Sequence, residues 1–164
     1  GEVMGVGVTF GEAFAKGQLG AGEHLPTSGK VFLSVRDADK AGAINVAKKL
    51  IELGFNLVAT RGTAKVVLDA RYDCEIVNKV KEGRPHIVDM IKNEEIALII
   101  NTTEVRQATA DSYEIRREAL QHKVAYTTTL AGGDAICIAL KEKDRSGVKS
   151  LQELHSDLRK EKVA

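Results

Sequence analysis

The sequence predicts an α/β domain: a doubly wound, mainly parallel sheet of five strands with helices on both faces. Three observations carry that reading. Short runs rich in β-branched and apolar residues alternate with stretches whose apolar residues recur at helical spacing. Strands that alternate with helices require crossover connections, which bring parallel strands together and lay helices against both faces. One run, Ile96-Ala97-Leu98-Ile99-Ile100, is apolar at every position, the pattern of a strand buried on both sides.

Within Thr9–Leu19 the residues Phe10, Ala13, Phe14 and Leu19 mark a first helix. The segment Gly20–Gly29, which contains Gly22 and Pro26, breaks regular structure and reads as a linker. A boundary near Gly29 therefore separates residues 1–28 from a domain of residues 29–164. Val31–Val35 is the first strand of that domain. Ala41–Leu53 places Ile44, Ala47, Leu50 and Ile51 on one helical face and stops at Gly54, a natural C-cap. Asn56–Thr60 is the second strand, and Glu75–Val77 is the weakest of the five. Ile87–Lys92 and Ala110–Gln121 are helical stretches on either side of the Ile96–Ile100 strand. Lys123–Tyr126 is the last strand, and the helices Leu130–Leu140 and Leu151–Lys160 follow it.

Composition excludes several functions. With 43% hydrophobic and 29% charged residues, the 164-residue chain has a globular balance and can bury one sizeable core. The net charge is +1 and no basic stripe is present, so no nucleic-acid partner is expected. Cys74 and Cys137 belong to no CxxC or Cys/His cluster, so no metal site is read, and two unclustered thiols fit a reducing compartment. The apolar runs are too short to span a bilayer and no leader is seen, so the expected location is the cytoplasm, away from membranes. The opening Gly1-Glu2-Val3-Met4, with Met in fourth place, has the look of a piece of a longer chain.

In an open parallel sheet, ligands bind outside the carboxyl ends of the strands. Four loops at those ends are rich in hydroxyl, amide and basic groups: Ser34–Lys40, Thr60–Lys65, Asn101–Thr103 and Tyr126–Thr129. In Thr60-Arg61-Gly62-Thr63 a glycine lets backbone approach a ligand, and the following helix start offers N–H groups and a partial positive charge. That is a phosphate cradle in outline. Each loop also has a plainer explanation. A Ser or Thr before a helix serves as a cap, Asn101–Thr103 alone is a turn, and Lys40 alone is a solvated lysine. Four such loops on one edge of one sheet point to an anion pocket.

Catalytic patterns are weaker. His24 falls in the linker, His155 in the last helix, and His122 follows a helix end where a cation is favourable. His86 stands near a candidate site, although a turn before a helix explains it equally well. No nucleophile with a base and no paired carboxylates stand out on the strand ends.

The ordered series Leu33-Ser34-Val35-Arg36 with Asp39-Lys40, Ala59-Thr60-Arg61-Gly62-Thr63-Ala64, Asn78-Lys79-Val80, Glu82-Gly83-Arg84-Pro85-His86 and Ile99-Ile100-Asn101-Thr102-Thr103 is specific. It resembles the methylglyoxal-synthase-like domain that ends the large subunit of carbamoyl-phosphate synthase. The likeness continues through Ile115-Arg116-Arg117, Ala119-Leu120-Gln121, Tyr126, Thr128-Thr129 and Gly132-Gly133. Residues 1–28 are similar to the tail of the preceding synthetase domain and its linker, so essentially the whole chain is covered.

The resemblance implies a Rossmann-type three-layer fold and a regulatory role without catalysis of its own. The parent enzyme makes carbamoyl phosphate for pyrimidine and arginine synthesis from bicarbonate, glutamine-derived ammonia and ATP. It uses magnesium or manganese and potassium, and works with a small glutaminase subunit. The regulatory domain itself takes no cofactor. Bacterial members bind UMP and IMP, and members of the family self-associate through this domain. Carried over by motif, the nucleotide contacts are Ser34, Lys40, Thr60, Thr63, Lys79, Asn101 and Thr103, with Ser112; Lys40, Thr60 and Thr63 hold the phosphate. In some members ornithine binds where this domain meets the synthetase domain, at residues matched by Tyr126 and Thr128. Thr127 replaces an Asp, and Gln107, beside Arg106, replaces a basic residue, which bears on effector preference.

The enzyme alternative is a methylglyoxal synthase acting on dihydroxyacetone phosphate. Those lyases carry Gly-Gly-Asp-Gln-Gln where this chain has Glu82-Gly83-Arg84-Pro85-His86, and Trp-Asp-Pro where it has Asn101-Thr102-Thr103. Arg84 thus stands at the catalytic carboxylate, and a guanidinium has no acceptor for a substrate proton. The cyclohydrolase domain of bifunctional purine enzymes shares Ser34-Val35 and Gly62-Thr63-Ala64-Lys65 but matches less well elsewhere.

Overall fold

The computed structural model describes residues 2–102, 109–142 and 150–161. Its elements, in chain order, are α1 (Phe10–Gly20), β1 (Lys30–Ser34), α2 (Lys40–Glu52), β2 (Asn56–Thr60), α3 (Arg61–Asp69) and β3 (Glu75–Val77). They continue with α4 (Ile87–Lys92), β4 (Ile96–Asn101), α5 (Thr109–Gln121), β5 (Ala125–Thr127), α6 (Leu130–Lys141) and α7 (Leu151–Glu161). The strands form one sheet in the order β3-β2-β1-β4-β5, and every neighbouring pair is parallel. The chain runs outward from β1 to β3, then returns past β1 to lay down β4 and β5. The order therefore reverses between β1 and β4, which places the ligand crevice at their carboxyl ends.

Side-chain alternation along the strands builds two cores. Val31 and Leu33 of β1 join Leu57, Ala59, Leu98 and Ile100 in a layer with α2, α3 and α6. Phe32 points the other way and packs with Val58, Ile99 and residues of α4 and α5. Helices on both faces follow from this. The apolar run of β4 also contains an irregularity. Lys30 pairs with Ile96 but Val31 pairs with Leu98, so Ala97 is an extra residue. Gly29 lies beside it with φ 113°, and a Cβ there would come within 3.0 Å of the Ala97 Cβ. Only glycine suits both the backbone angle and that approach.

Helix ends account for the differences from the sequence reading. α2 closes on Gly54 at φ 88°, as expected, whereas α3, α4 and α5 close on Arg71, Glu94 and Lys123 with φ of 66°, 59° and 53°. The Lys123 N–H donates to Leu120 O at 3.3 Å and the Val124 N–H to Ala119 O at 2.8 Å. Lys123 and Val124 thus finish a helix, and β5 begins only at Ala125.

α1 packs along α6. Thr9 caps it, accepting from the Glu12 N–H at 3.2 Å, and its hydroxyl donates to the Glu142 carboxylate. Phe14 and Leu25 pack against the first core. Among the described residues no helix is long and apolar enough to cross a membrane, and no group of three or more His, Cys, Asp or Glu side chains is placed to hold a metal.

Candidate anion-binding site

The carboxyl ends of β1 and β4 lie side by side, with Ser34 paired to Asn101 and the Thr102 N–H donating to Ser34 O at 2.9 Å. β2 ends beside them at Thr60. The Thr60 hydroxyl lies 3.3 Å from Ser34 Oγ and 3.5 Å from Thr63 Oγ1. Thr63, only 1% exposed, accepts the Val35 N–H at 3.1 Å. Three hydroxyls from two strand ends and one helix start therefore meet in a single group, with Thr60 and Thr63 buried and Ser34 partly exposed.

Capping explains some threonines and not others. Thr129 accepts the Gly132 N–H at 2.9 Å and caps α6. Thr60 occupies the N-cap position of α3 in an extended conformation, yet its side chain makes no capping bond. Its hydroxyl is turned to Ser34 and Thr63. The segment Arg61-Gly62-Thr63 is already the first turn of α3, whose N-terminus favours an anion.

Lys40 opens α2, and its Nζ lies 3.4 Å from where a Cβ on Gly62 would sit. The ammonium thus hangs over the first turn of α3, within van der Waals reach of residue 62. Lys40 Nζ is also 2.6 Å from Asp37 Oδ1. That bond, followed by the Lys40 charge and a smaller contribution from Lys79, holds the Asp37 carboxyl below its ordinary pKa. Lys79 is exposed on the loop after β3, where its backbone N–H donates to Glu82 Oε2 at 3.0 Å. Its charge adds slightly to the lowering at Asp37, the partner of Lys40.

Asn101 is buried and its Nδ2 donates to the Tyr126 hydroxyl at 3.0 Å, tying the ends of β4 and β5 together. Ser112 is buried on α5, and Thr128 is exposed before α6. No hydrogen bond among the described residues ties either of them to the Ser34–Thr60–Thr63 group. Thr103, with Arg106 and Gln107, lies outside the described residues.

Two residues that sequence reasoning passed over also shape the site. Thr102, 6% exposed, accepts the Arg36 N–H at 3.1 Å. The Asp39 carboxyl is held below its ordinary pKa first by Arg36 and then by Thr102. Thr102 staples the β1 loop to β4. Asp37 is the second, and the i,i+3 spacing of Arg36 to Asp39 and of Asp37 to Lys40 was the available signal.

At the start of α4, His86 and Asp89 are joined. The His86 N–H donates to Asp89 Oδ2 at 3.0 Å, the first cause of the lowered Asp89 pKa. His86 Nδ1 is buried 3.3 Å from the same oxygen without hydrogen-bond alignment. Arg84 follows Gly83 on an exposed turn, its Nε 3.7 Å from Asp89 Oδ1. Burial pushes both thiols, Cys74 and Cys137, up to about 11, so neither offers a thiolate near neutral pH.

Residues 42–128, more than half of the chain, match the family model of the MGS-like domain. The chain belongs to that family. Over 159 residues, 97% of its length, this MGS-like domain is 62% identical to the carbamoyl phosphate synthase large chains of Pseudomonas putida and Pseudomonas syringae pv. tomato. It is 57% identical to that of Halomonas eurihalina over 95% of its length. The chain spans about 15% of the length of each of these relatives. The crystal structure of ForH aligns with 75% of this chain and 83% of its own at 16% identity and a TM-score of 0.41, too slight a likeness to bear on the fold.

Proposed function

We propose that this MGS-like domain is the effector-binding module of a carbamoyl phosphate synthase large chain, and that it takes the phosphate of a UMP- or IMP-type nucleotide. One observation carries the reading. Lys40 stands over the uncapped start of α3 next to the joined hydroxyls of Ser34, Thr60 and Thr63. A phosphate there meets a cation, hydroxyl donors and the positive end of a helix at once. Lys79 and Asn101 flank the group and are suited to the rest of the nucleotide, as are Ser112 and Thr103 by resemblance. The relatives' name supports placing this module beside synthetase domains of the same chain. There ATP, its metal ions and a glutaminase subunit would serve the synthesis of carbamoyl phosphate, while this domain adds regulation.

Calorimetry of the chain with UMP, IMP and inorganic phosphate tests the reading. A charge-assisted contact contributes about 1.5–3 kcal/mol, so Lys40→Ala should weaken binding by roughly tenfold or more. An unchanged affinity would remove Lys40 from the site.

The lyase alternative is addressed by the Arg84 turn. The residue at the catalytic-carboxylate position is an exposed cation, so nothing at that position can draw a proton from the substrate. Incubation with dihydroxyacetone phosphate should therefore yield no methylglyoxal above the protein-free rate. Turnover that scales with protein and survives repurification would favour the lyase instead.

A further inference from the structure

Lys40 does not face an incoming anion alone. Its ammonium is paired with Asp37 at 2.6 Å, inside the short turn Asp37–Asp39 that leads into α2. The Asp37 side chain is 92% exposed while that of Lys40 is 30% exposed, so the carboxylate meets the ammonium from the solvent side. An anion moving from solvent toward Lys40 and Gly62 meets that carboxylate first. Its neighbour Asp39 is committed elsewhere, to Arg36 at 2.8 Å and to Thr102, and holds the loop.

We propose that Asp37 is a built-in competitor for the anion site, an affinity-setting residue whose carboxylate occupies Lys40 until a phosphate group displaces it. The inference rests on the phosphate reading given above. A carboxylate and a phosphate oxygen seek the same ammonium, and held on it together they would repel each other. Exposed ion pairs of this kind contribute little stability, so the displacement is easy and the penalty on binding is modest. The contact thus lowers the affinity for phosphate ligands without closing the site.

The test is a double-mutant cycle read by calorimetry at fixed ionic strength, with UMP and inorganic phosphate as probes. Asp37→Asn should tighten binding of both by about two- to fivefold, the range an exposed pair supplies. In the Lys40→Ala background the same substitution should gain less than about 1.5-fold, because the ammonium it competes for is gone. If Lys40→Ala alone leaves affinity unchanged, the phosphate reading falls and this inference falls with it. If Lys40→Ala weakens binding but Asp37→Asn does not strengthen it, Asp37 is no competitor and the phosphate reading stands. A loss on Asp37→Asn would mean that the carboxylate positions Lys40 for the ligand. A full gain that persists without Lys40 would mean plain charge repulsion. Either result overturns the competitor role.

Discussion

Replacing Phe32 with alanine is expected to remove about 3–5 kcal/mol of folding stability. The residue is fully buried at the centre of β1, the middle strand of the sheet, and its ring fills the core shared with α4 and α5. Such a loss is a large part of the roughly 5–15 kcal/mol that holds a native domain together. Urea denaturation should show a much lower midpoint with little change in slope. Phe10→Ala is the control: that ring is 60% exposed on α1 and touches Phe14 at a centroid distance of 5.7 Å, so the cost should stay below about 1 kcal/mol. Equal losses at the two positions would contradict the burial pattern.

The contrast shows what was legible in the sequence. Periodicity and apolar runs located the five strands and the helices of the sheet layers except α3, of which only the start after Thr60 was read, because burying one face or two leaves a direct imprint on residue order. Element ends were less legible. Gly54 announced the end of α2, but Arg71, Glu94 and Lys123 take the same left-handed position without being glycine. Each lies inside a helix-ending closure in which the next N–H reaches back to Val67, Met90 or Ala119, and no residue type signals it. The apolar Val124 then made β5 look longer at its start than it is.

Site legibility divided along the same line. Hydroxyl-rich strand ends were visible as a pattern, yet the sequence could not tell a cap from a ligand group. Thr60 and Thr129 each precede a helix, and only coordinates separate the capping hydroxyl of Thr129 from that of Thr60. Thr102 and Asp37 escaped notice for a related reason. Their importance lies in which loop each side chain reaches, Thr102 back to Arg36 and Asp37 forward to Lys40. Spacing hinted at the second contact. The first spans 66 positions and leaves no local trace.

Nucleotide and amino-acid effectors should separate sharply on this chain. The proposed phosphate site is assembled from β1, β2, α2 and α3, all within the described domain, so UMP or IMP should bind it measurably. The region matched to ornithine binding is differently furnished. The Tyr126 hydroxyl is engaged by the Asn101 amide, Thr128 is exposed, and Thr127 Oγ1 packs so close to Gly132 that a Cβ there would fall 2.1 Å from it. Asp134, the first acidic residue of α6, is paired with Lys49 of α2. The loop therefore offers hydroxyls and carbonyls to an ammonium ligand, and its own nearby carboxylate is already spent. Each missing charge-assisted bond forfeits about 1.5–3 kcal/mol, and an ornithine molecule carries two ammonium groups that need such partners. No saturable ornithine binding is expected up to millimolar concentration, by calorimetry or by NMR shifts near Tyr126. Tight binding would show that the acidic partners lie within this domain, and the interface origin of the amino-acid site would have to be given up.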